Sequence, residues 1–159
     1  MAKGTSSRSK QRRYALRILF EVDINESSVA EVLEAKRDAG EDKVPGEFTV
    51  DLVSGVQKHR VEIDRVISRY SEDWDLARMP GVDRNILRMS LCELLFMDDV
   101  PPGATINEAV ELAKAFSTSD SGKFINGVLG RINRDLEAGK LLYPSQNPPN
   151  QQENEKNAP

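Results

Sequence analysis

Apolar residues recur every three or four positions over most of the chain, the spacing that places them on one face of an α-helix. This periodicity predicts six helices, near residues 8–25, 28–39, 46–71, 83–97, 105–117 and 120–138, with a break in the third near His59. The strict alternation of a half-buried strand is nearly absent. The chain is therefore predicted to be an all-α helical bundle.

Polar residues mark where three of these helices begin. Thr105 and Glu108 have the spacing of a capping box and directly follow a Pro-Pro-Gly break. Asp83 follows a turn-forming segment, and Asp120 precedes the last apolar repeat, so both are N-cap candidates. The polar segment 143–159 has no apolar periodicity, and we expect it to be a disordered tail.

The first predicted helix has two faces when its residues are placed at about 100° intervals. The residues of its narrow core sector are Ala15, Leu19 and Val22. The basic residues of the opposite face are Lys10, Arg13 and Arg17. Arg8 and Arg12 project over the core side but are expected to precede the packed part of the helix. Phe20 and Ile24 lie off the core, which suits either a docking surface or packing beneath another helix of the bundle.

The last predicted helix carries two glycines, Gly127 and Gly130, on its outer face with Lys123 and Arg134. An interior glycine costs about 1 kcal/mol relative to alanine, so a close neighbour is expected, and tight helix packing is favoured over a partner backbone. Phe124 lies at the margin of the core stripe. It is either a core residue, which periodicity alone favours, or a half-exposed ring on which a base stacks.

Charge is distributed unevenly along the 159 residues. The formal net charge is -4, yet the first 20 residues hold six basic residues and no acidic one. A basic segment on an acidic body indicates a polyanionic partner. No apolar run approaches the length of a membrane span, and we expect a cytoplasmic protein of one domain.

The chemistry needed for catalysis is missing from the sequence. His59 and Cys92 are the only histidine and cysteine, so neither a zinc site nor a nucleophile–base pair can be assembled from them. No phosphate-binding loop or dinucleotide fingerprint occurs. We expect a binding module with no cofactor, no metal and no enzymatic activity.

Four sequence blocks between residues 82 and 132 are specific in combination: D-R-x-I-L-R, D-V-P-P, I-N-E-A-V-E-L-A-K and D-S-x-K-F-x-N-G-V-L. With these blocks the chain resembles the NusB family of bacterial transcription antitermination factors. The resemblance implies two packed three-helix subdomains and a non-catalytic role. The expected organisation is a flexible basic arm over residues 1–7, a helical RNA-binding domain over 8–142 and a disordered tail over 143–159.

The resemblance also implies the partners. Family members bind single-stranded boxA RNA in ribosomal RNA leaders together with NusE, a small-subunit ribosomal protein, and help RNA polymerase resist termination. The residues that it assigns to RNA are Arg8, Lys10, Arg12, Arg13, Asp120, Lys123 and Phe124. The residues that it assigns to NusE are Arg17, Phe20 and Asp83. Asp120 could instead serve only as a helix cap.

Two alternatives to this function stay open at the level of sequence. The main one is a protein-only adaptor, such as a homodimer whose interface covers the basic helix. The other is a detached RNA-binding domain of the kind fused to ribosomal RNA methyltransferases. The sequence does not distinguish a monomer from a homodimer.

Overall fold

A computed structural model describes residues 7–38, 45–71 and 74–144 of the chain. Its helices are α1 (Arg8–Asn25), α2 (Val29–Asp38), α3 (Glu47–Tyr70), α4 (Gly81–Phe96), α5 (Pro102–Phe116) and α6 (Ser119–Glu137). A single 3-10 turn, Leu76–Arg78, precedes α4, and the described residues contain no strand. The predicted all-α class is confirmed. The predicted arm before Ser7 and the predicted tail beyond Pro144 lie outside the described residues.

The six helices form two packed groups of three, α1–α3 and α4–α6, as predicted. The most extensive helix pair is α5 with α6, and α3 with α4 joins the two groups. Helix α4 also packs against α1, α5 and α6, so it is the central element. Every residue of α4 from Asn85 to Leu95 is buried, because other helices surround it. The core therefore runs through both groups without interruption.

Local chemistry explains how α1 and α3 are shaped. The side chain of Ser7 accepts a hydrogen bond from the Lys10 amide and caps α1, which begins at Arg8. Helix α1 ends where Glu26 adopts a left-handed conformation with φ of 52°. Helix α3 has the predicted break at His59, whose backbone is not helical. The His59 ring stacks on Phe96, with ring centroids 3.7 Å apart.

The starts of α5 and α6 differ from the prediction. Helix α5 begins at Pro102, where the missing amide hydrogen costs nothing, so the predicted capping box at Thr105 is wrong. Thr105 is buried inside α5, and its hydroxyl donates to Glu93. Helix α6 is capped by Thr118, which accepts a hydrogen bond from the Ser121 amide, and not by Asp120.

Three further features of the helical domain are the burial of its thiol, its C-terminal boundary and the ability of its helices to cross a membrane. Cys92 is buried in the core, and burial raises the pKa of its thiol to about 12. Tyr143, assigned to the tail from the sequence, packs against the core. No described helix is both long enough and apolar enough to cross a membrane.

Candidate functional site

The inner face of α1 is fixed to α4 by a buried ion pair. Arg12 Nη2 lies 2.6 Å from Glu93 Oε1, and Arg12 Nε lies 3.0 Å from Glu93 Oε2. Their side chains are only 5% and 0% exposed. The expectation that Arg12 precedes the packed part of the helix is therefore wrong. Its guanidinium is covered by the Phe48 ring and is not presented to solvent.

A second ionic contact fixes the other end of the same face. Asp23 Oδ2 accepts hydrogen bonds from Arg84 at 2.6 Å and from Asn85 at 3.0 Å, and Arg88 lies 3.5 Å away. Burial alone would raise the pKa of the Asp23 carboxyl, but these hydrogen bonds and the two arginine charges outweigh it. The pKa consequently lies below its usual value. Together the two contacts hold α1 antiparallel to α4.

The outer stripe of α1 consists of exposed residues at helical spacing: Lys10, Arg13, Arg17, Phe20 and Ile24. Its N-terminal half is cationic, and its C-terminal half is apolar. None of its three cations makes an ion pair with a side chain that the structure describes. Arg8, at the start of the helix, pairs with Asp99 at 2.9 Å. Both partners of that pair are largely exposed, so the guanidinium is held only weakly.

Phe20 lies off the core, as its position around the helix axis predicted, and 38% of its surface is exposed. Its ring rests on the first turn of α4, because a Cβ atom at Gly81 would lie only 3.0 Å from Phe20 Cε2. Ile24 flanks the same spot and is more exposed still. The C-terminal half of the outer stripe is therefore an apolar surface next to the start of α4.

Asp83 does not lie on that surface. It is buried in the first turn of α4, where its Oδ2 accepts a hydrogen bond from the Ser121 hydroxyl at 2.8 Å. Its Oδ1 accepts no hydrogen bond from the part of the chain that the structure describes. Asp83 thus joins α4 to the start of α6 and is only 5% exposed, and its contribution to the NusE surface stays a prediction.

The start of α6 carries a second surface, the aromatic patch, defined by Trp74, Lys123 and Phe124. The rings of Trp74 and Phe124 are tilted by 38°, with centroids 5.5 Å apart. Phe124 is half-buried and Lys123 is exposed, as is Asp120 in the first turn. Trp74 is 50% exposed and was not among the predicted site residues. Its segment has no apolar periodicity, so a lone tryptophan among acids was the only sequence signal.

The outer face of α6 beside this patch is open. Among the residues that the structure describes, a Cβ atom added at Gly127 would meet nothing within 4 Å, and one at Gly130 would meet only Arg134 of the same helix. The predicted tight packing of these glycines against a neighbouring helix is therefore wrong. The face is free to receive a partner.

The predicted RNA residues fall into two separate areas. Arg12 contacts α4 at Glu93, whereas the start of α6 contacts α4 at Asp83. These two positions are ten residues apart, which corresponds to about 15 Å along a helix. Helix α5 bridges them, because Glu108 accepts a hydrogen bond from Ser9 and α5 packs along α6. A ligand that reaches both areas must extend along the molecule.

The geometry defines a helical binding module. The described residues hold no cluster of three or more potential metal ligands, and the surfaces consist of unpaired cations, exposed aromatic rings and an apolar strip. Such surfaces recognise other macromolecules through charge, stacking and apolar contact.

Comparison with known proteins gives the family. The model of the NusB family matches residues 9–134. The chain is 45% identical over 129 residues to the transcription antitermination protein NusB of Arthrobacter sp. (strain FB24), covering 81% of this chain and 94% of that protein. The chain therefore belongs to the NusB family.

Solved structures agree with this assignment. T. maritima NusB superposes with a TM-score of 0.74 at 38% identity, covering 83% of this chain and 94% of that one. A chain from a complex of the antitermination factors NusB and NusE with double-stranded RNA has a TM-score of 0.69 at 28% identity. That match covers 81% of this chain and 98% of the other.

Proposed function

We propose that this chain is a transcription antitermination factor that binds single-stranded boxA-type RNA of ribosomal RNA leaders together with NusE. The observation that carries the proposal is the outer stripe of α1, whose cations have no described ionic partner, on a fold shared with a NusB–NusE–RNA complex. The role is binding within the RNA polymerase antitermination complex, without catalysis. A factor acting on nascent RNA would work in the bacterial cytoplasm.

Electrostatic contacts to RNA come from the N-terminal half of α1. Arg8, Lys10 and Arg13 are exposed there, and each phosphate that they neutralise adds about 0.7 to the salt dependence of single-strand binding. Arg12 contributes differently: its pairing with Glu93 holds α1 in place, so that the neighbouring cations point outward.

Contacts to bases come from the start of α6. Lys123 is exposed and offers a charge for a phosphate, and the adjoining half-buried Phe124 ring offers a surface for stacking. Asp120 is exposed in the first turn, where a carboxylate favours the helix N-terminus but repels phosphate. We therefore assign Asp120 to shaping this turn and Lys123 and Phe124 to RNA.

NusE contacts are assigned to the C-terminal half of the outer stripe. Phe20 and Ile24 offer an exposed apolar surface, and Arg17, which is exposed and makes no ion pair with a described side chain, borders it. Asp83 lies in the first turn of α4, on which the Phe20 ring rests, so we assign to it a supporting role. An exposed aromatic ring with a neighbouring arginine has the composition of a protein-binding hot spot.

The test is fluorescence anisotropy of labelled boxA-type RNA and of a scrambled control, with and without NusE, at several salt concentrations. We expect boxA preference, strengthened by NusE. Lys10→Ala/Arg13→Ala should weaken binding and reduce the salt slope by about 1.4, whereas Lys58→Ala, which removes an exposed cation of α3, should not. Phe20→Ala should abolish the NusE effect and leave RNA binding in its absence unchanged.

A different result would contradict the proposed RNA-binding function. Equal and weak binding of both RNAs, insensitive to these substitutions, would mean that the basic stripe serves a protein interface. Sedimentation would then test for a homodimer.

A further inference from the structure

We propose that Trp74 is a second base-stacking platform, which takes an unpaired nucleobase next to the one stacked on Phe124. This inference rests on the proposed RNA-binding function and adds a residue that the sequence blocks of the family do not include. The supporting facts are the exposure of Trp74, its contact with Phe124, the hydrogen bonds of its backbone and the charge around it.

The indole is large, apolar and half-exposed, although apolar side chains of this size normally find cover. Trp74 is 50% exposed, and Phe124 contacts it at a ring tilt of 38°. The tilt leaves the two rings as neighbouring surfaces, since rings stacked face to face would cover each other. Two adjoining aromatic surfaces match two consecutive bases of a single strand, because every base has a π-face.

The backbone of Trp74 is tied by hydrogen bonds to the end of α3 and precedes a capped 3-10 turn. Its amide donates a hydrogen bond to the Ser71 carbonyl at 3.0 Å. Ser71 is itself buried, and its hydroxyl donates to the Ile67 carbonyl at 2.7 Å. On the other side, the Asp75 carboxylate accepts from the Ala77 amide and caps the 3-10 turn. A ligand therefore finds the backbone at Trp74 already positioned, which lowers the entropy cost of binding there.

Charge decides which part of a nucleotide this ring receives. The sequence around Trp74 is acidic, with Glu72, Asp73 and Asp75 as its neighbours. Carboxylates repel phosphate, but they do not repel the uncharged face of a base. The cation of the aromatic patch, Lys123, adjoins Phe124 in the chain, and Arg78 of the 3-10 turn is also exposed. Trp74 is therefore suited to the face of a base and not to a phosphate.

The test uses the fact that Trp74 is the only tryptophan of the chain. Unlabelled single-stranded boxA-type RNA added to the wild-type protein alone should quench the tryptophan fluorescence, since a stacked base is an efficient quencher. Duplex RNA of the same sequence should quench it far less, because its bases are not free to stack. Anisotropy with labelled RNA, measured in parallel, reports binding independently of the indole.

Substitutions separate stacking from charge. Trp74→Ala should weaken RNA binding roughly 5- to 150-fold, the loss expected for one stacked base, with an unchanged salt slope. Trp74→Phe keeps a ring and should recover most of the affinity. Val61→Ala removes a comparably exposed apolar side chain of α3 and should have no effect. Thermal unfolding confirms that each variant is folded.

The outcomes distinguish this inference from the function on which it rests. Binding by anisotropy without quenching, or with Trp74→Ala at wild-type affinity, would overturn the role of Trp74 and leave RNA binding intact. A change in salt slope on Trp74→Ala would show a phosphate contact and would equally overturn stacking. No binding of either RNA, even with NusE, would reject the proposed function and this inference with it.

Discussion

Arg12 and Arg13 are consecutive residues of α1 that lie in opposite environments. Arg12 is buried against Glu93, with an N–O distance of 2.6 Å, whereas Arg13 is exposed and forms no ion pair with the described side chains. The difference arises from one step of about 100° around the helix axis. The inner face of α1 therefore uses charge to fix the helix, and the outer stripe keeps charge available for a ligand.

This contrast changes how a basic segment should be interpreted. The six basic residues near the N-terminus look like one polyanion-binding cluster when they are counted. In the structure the cluster is divided, because Glu93 of the central helix neutralises one of its members. Loss of RNA binding on Arg12 substitution would thus report misplacement of α1, and Arg13 is the informative position.

The largest effect should come from breaking the inner pair. Glu93→Gln leaves the Arg12 charge buried without a counter-ion, and we expect a loss of about 3–5 kcal/mol in the free energy of unfolding. Arg13→Ala, the matched change on the outer stripe, should alter it by less than about 0.5 kcal/mol. Urea denaturation measures both. Equal free energies of unfolding for the two variants would show that the inner face of α1 does not use charge to fix the helix.

The second contact of the inner face predicts a pH dependence. Asp23→Asn removes the charge that Arg84 and Arg88 share, and we expect a loss of about 2–3 kcal/mol at neutral pH. Because the folded-state pKa of Asp23 is lowered, its contribution is fully present above the unfolded pKa of about 4. It is lost as the pH falls through the folded-state value.

The measurement is a series of denaturant titrations of wild type and Asp23→Asn between neutral and acidic pH. The difference in the free energy of unfolding between the wild type and Asp23→Asn should become smaller below about pH 4. A gap that stays constant down to acidic pH would show that hydrogen-bond geometry, and not the charge of Asp23, stabilises the contact.

The fold was largely predictable from the sequence, because helix faces follow from local spacing. The bounds of α1 and the break of α3 at His59 were predicted correctly. So was the position of Phe20 off the core, since a helical wheel needs only the residues of one helix. The starts of α5 and α6 were less predictable, because several neighbouring residues can begin or cap a helix. Helix α5 begins at Pro102 and not with a cap at Thr105, and α6 is capped by Thr118 and not by Asp120.

The candidate site was only partly predictable. The exposed stripe of α1 is local, whereas the burial of Arg12 and the pairing of Trp74 with Phe124 depend on contacts between distant segments. Residues 12 and 93 come together only when α1 packs on α4. No pattern within one helix could have shown that Trp74 lies beside α6.

The smallest expected effect concerns Gly127, on the outer face of α6. Because a Cβ atom there meets nothing within 4 Å, Gly127→Ala should stabilise the free protein by about 1 kcal/mol through helix propensity. Gly55→Ala in α3 is the matched control, since its Cβ would lie 2.7 Å from Cys92 Sγ and overpacking costs about 1–3 kcal/mol. Thermal unfolding shows whether each substitution raises or lowers the stability of the protein. If Gly127→Ala stabilises the protein yet weakens binding of RNA or NusE, the glycine serves close approach of a partner; unchanged binding would confine the interface on α6 to the aromatic patch.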